Sequence, residues 1–225
     1  YEYYDSRGRL EYITEVEREM CLLRASELRN SMKRDLPQAS MCWFTKEGDC
    51  DLVDGSIAKV LRNTAYVEDD VKSVREEEGG GRILFVGVLS WLPNREGIKR
   101  FMELCWNDIQ NAEPNVILDV VTADIDEEMQ SYFSRWSNIC VHVNVSDLAL
   151  IFRNCAFSIV PIEFGAGTHI KVIESLLRQK TLVATPFGLR GFEKVLLHER
   201  DLLVAPLGAE FSSSCVRLIR DKAMQ

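Results

Sequence analysis

The chain has 225 residues, of which 46% are hydrophobic and 28% charged, and its formal net charge is -8. That composition suits a soluble fold with a buried core. The acidic balance argues against a general nucleic-acid binder, which carries a basic face, and against a strongly basic membrane-docking surface.

In chain order, residues 10–36 combine helical spacing with dense charge and predict a helix. Residues 39–45 (ASMCWFT) are a short apolar run that predicts a strand, and Thr45 is placed to cap a following helix that runs to residue 53. Residues 57–61 predict another strand. Residues 63–81 are polar and acidic and end in EEEGGG, a linker composition. The expected organisation is therefore an end portion of one α/β domain over 1–75 and a second domain over 76–225.

The pattern beyond the linker is regular. Strands are predicted at 82–88, 116–122, 139–143, 156–161, 181–184 and 202–205. Helices are predicted at 94–109, 126–136, 147–154 (with Ser146 as cap), 168–178, and from the last strand to 219. Strands without clean alternation, each followed by a helix, imply a parallel sheet covered on both faces. The expected class is α/β, a doubly wound, Rossmann-like parallel sheet with a partial second α/β domain.

No run of about 18 apolar residues is present, so no membrane-spanning helix is expected. The seven cysteines form no CxxC pair and are odd in number. This argues against a disulfide framework or a zinc site, favours buried thiols and fits a reducing cytosol.

A doubly wound sheet binds ligands beyond the C-terminal ends of its strands, so the strand-to-helix loops carry the candidates. The strongest runs from Pro161 to Glu174. Gly165 and Gly167 permit close backbone approach, and Thr168 is expected to open a helix whose free N–H groups and dipole favour an anion. His169 and Lys171 place a potential and a certain cation in the first turn, where the dipole disfavours them, and a bound di-anion removes the conflict. The bland alternative is that Lys171 faces solvent and pairs with Glu174, in the weaker of the two orientations.

The loop over 87–97 (GVLSWLPNREG) has two readings. It is either a backbone wall beside a bound phosphate or sugar, through Gly87 and Asn94, or an ordinary turn with Asn94 as helix cap. His142 reads as a satisfied core histidine. Thr185 to Gly188 either lines a pocket or makes a turn. Glu76 to Glu78 read as solvated linker, and Glu68, Asp69 and Asp70 lack the histidine or rigid spacing that would support a metal. No nucleophile-elbow, zincin or Walker motif occurs.

Taken together, the GAGTHIKVIE run from Gly165 to Glu174 resembles the group-1 retaining glycosyltransferases of the GT-B class, with bacterial-type members carrying GAGTRIKVLE. RILFVGVLSWLPN, VNVSDLALIFRNCAFSIVPI, TLVATPFGLRGF and HERDLLVA resemble further segments of the same family in register, from Arg82 to the end. ASMCWFTKEGDCDLV is similar to the last part of its N-terminal domain.

The resemblance implies transfer of a sugar from a nucleoside-diphosphate donor, with retention and without a required metal or cofactor. Lys171 and Glu174 would be the catalytic residues. The donor would be held by Gly87, Asn94, Val143, Val145, Gly165, Ala166, Gly167, Thr168, His169, Lys171 and Glu174. Within that set, Lys171 and the helix start would meet the diphosphate, Glu174 the ribose hydroxyls, and the backbone at Val143 to Val145 the base.

The acceptor would be a glycan or lipid-linked group, recognised mainly by an N-terminal domain that could also touch a membrane. Nucleic acid is not an expected partner, and a cytoplasmic location is expected. The sequence departs from the family at Ala166, where the first glutamate of EX7E would stand. Glu163 is near but out of register. Val88 stands where a basic residue is frequent, Val143 replaces a usual glycine and His169 a usual arginine. These departures keep open a non-catalytic GT-B-like binding module, and the architecture itself admits a nucleotide-sugar epimerase, which would need an acid/base set that the sequence does not show.

Overall fold

The computed structural model describes residues 1–65 and 81–224. Most of the expected linker lies outside them, and with it the boundary placed at residue 75 and the acidic groups Glu68, Asp69, Asp70 and Glu76 to Glu78.

A helix that the sequence did not suggest, α1 (Glu2–Gly8), comes first, and the helix expected over 10–36 is α2 (Glu15–Asp35). Thr14 sets the start of α2. Its hydroxyl accepts from the Glu17 N–H at 3.2 Å, while the Glu17 carboxylate accepts from the Thr14 N–H at 3.1 Å. This reciprocal cap satisfies two orphan donors at once.

Strands β1 (Cys42–Phe44) and β2 (Ala58–Val60) pair in parallel, with Cys42 opposite Ala58. Thr45 caps nothing. The turn between the strands is a 3-10 segment, Glu47–Leu52, preceded by Lys46 in extended conformation.

The second unit begins with β3 (Arg82–Val86), followed by α3 (Leu92–Phe101) and α4 (Asn107–Ala112). A single helix was expected over this stretch. It is broken by a π turn at Met102–Trp106, which turns Met102, Cys105 and Trp106 all inward. Next come β4 (Ile117–Thr122), α5 (Glu127–Phe133, capped by Asp126) and β5 (Ile139–Val143). Helix α6 (Ala149–Asn154) starts two residues later than expected. Its cap residue is Leu148, and Asp147, not Ser146, accepts from an early amide, that of Ala149 at 2.7 Å. The chain continues through β6 (Phe157–Val160), α7 (Ile170–Leu177), β7 (Leu182–Ala184), β8 (Leu203–Val204) and α8 (Ala209–Arg220).

The six strands from β3 to β8 are parallel, in the order β5-β4-β3-β6-β7-β8. Counted within the unit this is the Rossmann order 3-2-1-4-5-6. The chain moves outward one way from β3 and the other way from β6, so the crevice between the loops after these two strands is the topological switch point.

Both faces are covered, which explains the unbroken apolar strands. On β3, Ile83 and Phe85 join one cluster with Phe101, Trp106 and Phe211, while Leu84 joins another with Val121, Phe152 and Cys155 on the opposite face. All seven cysteines are free thiols, five of them buried.

Candidate functional site

Three loops converge at the switch point, those after β3, β6 and β7. Asn94 was weighed as a helix cap, but the cap of α3 is Trp91 and Pro93 lies in the first turn. The Asn94 side chain is thereby released to bridge two loops. Its Nδ2 donates to the Val88 carbonyl at 2.9 Å, and its Oδ1 accepts from Lys171 Nζ at 2.7 Å. The two contacts need opposite ends of the amide, which fixes its orientation.

Lys171 also lies 4.9 Å above the Phe85 ring. Gly87 makes room for this arrangement. A Cβ there would sit 2.9 Å from Asn94 Cγ and 3.0 Å from Lys171 Nζ. Gly87, Asn94 and Lys171, 84 positions apart from first to last in sequence, thus form one contact group.

The electrostatics of the loop differ from expectation. Burial pulls the Lys171 ammonium down to about 7, partly offset by Glu174. Lys171 does not pair with Glu174, which faces Arg178 at 3.6 Å instead. Among the described residues no carboxylate forms an ion pair with Lys171.

His169 was expected as a potential cation. Burial, with Lys171 and Arg190 nearby, lowers it to about 4, so the ring is neutral at pH 7. It stands 6.0 Å from the Phe187 ring, and its buried Nε2 has no hydrogen-bond partner among the described residues. Helix α7 begins at Ile170 with His169 as the cap residue, not at Thr168. Thr168 lies before the helix, its hydroxyl accepting from Asn63 Nδ2 at 2.7 Å. The orphan amides of the helix start are therefore those from Ile170 onward.

The glycine loop is anchored from a distant part of the chain. Gly165 and Gly167 have φ of 146° and 71°, a region open to glycine. The Gly165 N–H donates to Ser6 Oγ at 2.9 Å, and that hydroxyl donates back to the Gly165 carbonyl at 3.0 Å. The Gly167 N–H donates to Glu2 Oε2 at 2.9 Å. The Glu2 carboxylate, buried on α1, is ion-paired with Lys46 and Arg190. Two amides of the expected donor-binding loop are thus held by side chains. Ala166 between them is exposed.

Glu163 turns away to pair with Arg100 on α3 at 2.5 Å. His142 is a satisfied histidine, its Nε2 2.7 Å from Asp119, a buried carboxylate that Arg82 also grips. Val143 and Val145 lie at the same end of the sheet, two strands from β3. Val143 is 45% exposed and Val145 packs toward Phe152, and between them Asn144 has φ of 53°. The structure does not bring them into the Lys171 group.

Glu2, Ser6, Lys46 and Arg190 escaped the sequence reading. Glu2 and Ser6 stand 165 and 159 residues from their loop partners, beyond any local pattern. Arg190 lies in the segment TLVATPFGLRGF, where its charge was a readable signal. Among the described residues no cluster of three metal-ligating side chains occurs, and no helix is long and apolar enough to cross a membrane.

The sheet has the doubly wound Rossmann order, with Lys171 beside its switch point. The sequence matches the family model described as "Glycosyl transferases group 1" over residues 80–221, and the chain belongs to that family.

No curated protein matches the sequence at a significant level. Solved structures share the fold at low identity. TarM of S. aureus superposes with a TM-score of 0.70 at 7% identity, over 88% of this chain and 40% of TarM. Anabaena Alr3699/HepE in complex with UDP and glucose gives 0.61 at 14%, over 95% of this chain and 60% of that one. WaaG, a glycosyltransferase involved in lipopolysaccharide biosynthesis, gives 0.60 at 11%, over 81% and 54%. The fold is that of the Rossmann-like domain of GT-B glycosyltransferases, and the chain spans less than two thirds of each of these proteins.

Proposed function

We propose that this chain is the donor-binding part of a glycosyltransferase that moves a sugar from a nucleoside-diphosphate donor to a glycan or lipid-linked acceptor with retention. The observation that carries the reading is Lys171, a partly buried ammonium at the switch point with a neutral amide and an aromatic ring for partners and no ion-paired carboxylate among the described residues. A diphosphate supplies the missing anion.

In the transfer, the bond between the anomeric carbon and the donor oxygen breaks, the diphosphate leaves with the electron pair, and the acceptor hydroxyl oxygen bonds to the anomeric carbon on the same face as its proton passes to the leaving phosphate oxygen. Lys171 and the first amides of α7 neutralise that charge as it develops. Glu174, one turn along α7, is the group for the ribose hydroxyls, and the exposed backbone at Val143 to Val145 is the edge for the base. UDP is the donor nucleotide to try first, because HepE is solved with UDP and the fold is shared.

Calorimetric titration with UDP tests the reading. Lys171→Met should weaken binding by about 100-fold, from the loss of a charge-assisted contact of roughly 2–3 kcal/mol. Equal affinity in wild type and variant would remove Lys171 from the site.

A second reading has its own observation. Ala166 replaces the first glutamate, and the flanking amides are already bonded to Ser6 and Glu2. A binding module that holds the nucleotide without transfer fits these facts. UDP-sugar turnover with any acceptor would eliminate it.

A further inference from the structure

We propose that Asn94 is a positioning residue: anchored on the Val88 carbonyl, its amide aims the Lys171 ammonium at the switch-point crevice and leaves its charge for an anionic ligand to complete. The inference rests on the reading of Lys171 as the diphosphate cation, but its main test needs no ligand.

Asn94 Nδ2 is committed to Val88 at 2.9 Å, so Oδ1 is the end that faces Lys171 at 2.7 Å. Trp91 caps α3, so nothing in the helix start requires the Asn94 side chain. Gly87 leaves the contact open, since a Cβ there would lie 2.9 Å from Asn94 Cγ and 3.0 Å from Lys171 Nζ.

An ammonium has three N–H donors. One is spent on Asn94, and the Phe85 ring covers another side, which directs what remains outward. Phe85 and Asn94, the partners from β3 and α3, are both uncharged. The ionisable groups acting around Lys171 are Glu174 on its own helix, which is engaged with Arg178, and His169 at the helix start, with Arg190 beside that ring.

An aspartate is nearly the same shape as asparagine, but it would make a standing ion pair with Lys171 and could not donate to Val88. Asparagine gives orientation without neutralisation. This fits a lysine at a helix N-terminus, where the dipole disfavours cations, that has no ion-paired carboxylate among the described residues.

The test is an NMR titration of Lys171 in the ligand-free chain carrying 13C-labelled lysine, assigned with Lys171→Met. Asn94→Asp should raise the Lys171 midpoint by roughly one pH unit or more, through an opposite charge at contact distance. Asn94→Ala should lower it, because the ammonium loses the side-chain oxygen it donates to. If Asn94→Ala does not fold, Asn94→Ser replaces it with the same expectation, since its shorter hydroxyl cannot span Val88 and Lys171. UDP titration at pH 6.5 should show both variants binding less tightly, Asn94→Asp by about tenfold or more through direct competition for the ammonium.

Midpoints that stay put, or that move the same way in both variants, overturn the proposal, as does wild-type UDP affinity in Asn94→Asp. Absence of UDP binding in the wild type would instead sink the donor reading, while the ligand-free titration still decides the role of Asn94.

Discussion

Two cationic flanks border the glycine loop after β6, and their charges are treated in opposite ways. On one, Lys46 and Arg190 share the buried carboxylate of Glu2, which also takes the Gly167 amide. On the other, Lys171 meets an amide oxygen and a ring and has no ion-paired carboxylate among the described residues. The first is a closed set of charges supplied from within the chain, and it holds three segments together: α1, the turn after β1 and the loop after β7. The second is open. A buried cation paired internally serves shape, and one left without an anion is where a ligand gains by supplying it.

The comparison breaks most readily at Glu2. Glu2→Gln removes the buried carboxylate that Lys46 and Arg190 share and leaves Lys46 with Asp49 at 3.7 Å, so thermal or urea unfolding should show a loss of about 3 kcal/mol, the usual cost of removing one member of a buried pair. A change below roughly 0.5 kcal/mol, the range of ordinary surface substitutions, would mean that the flank is not closed in solution.

Ser6→Ala probes the same anchor more gently. It removes one hydroxyl that both accepts from and donates to Gly165, and should cost about 1–2 kcal/mol. If Ser6→Ala weakens UDP binding as strongly as Lys171→Met does, the two flanks act as one site and the distinction between them fails.

The sheet and the Lys171 helix were legible because they rest on local pattern. Apolar runs such as RILFV and ICVHV mark β3 and β5, and the loop of glycines followed by a basic helix start points to Lys171. What stayed hidden depends on tertiary contact. Nothing near Glu2 in sequence signals that its carboxylate meets Gly167. The helix of His169 starts two residues later than Thr168 suggested, because Thr168 is occupied with Asn63. The charge state of His169 follows from burial against the loop after β7, which residue type alone does not reveal. Asn94 lay between both cases. Its place in the PN turn was visible, but the choice between cap and bridge needed the position of α7.

A further effect concerns pH, and it separates the flanks without any ligand. Lys171 titrates near 7 in the folded chain, against an ordinary value of 10.5 that it regains on unfolding. Below pH 7 both states hold the proton and the folded state bears the full cost of an ammonium partly removed from water. Between about 7 and 10.5 the unfolded state binds a proton that the folded state has released, so stability rises with pH across that window. Lys171→Met removes the group and hence the slope. The difference in melting temperature between wild type and Lys171→Met should therefore shift in favour of the wild type from pH 6 to pH 9, while the other lysines titrate in both proteins and cancel. UDP binding should run the other way and weaken as pH climbs above 7, since the di-anion needs the protonated form. A melting difference that stays flat across the range would mean that Lys171 keeps its proton, and therefore that it has an anionic partner in the free protein as Lys46 and Arg190 do.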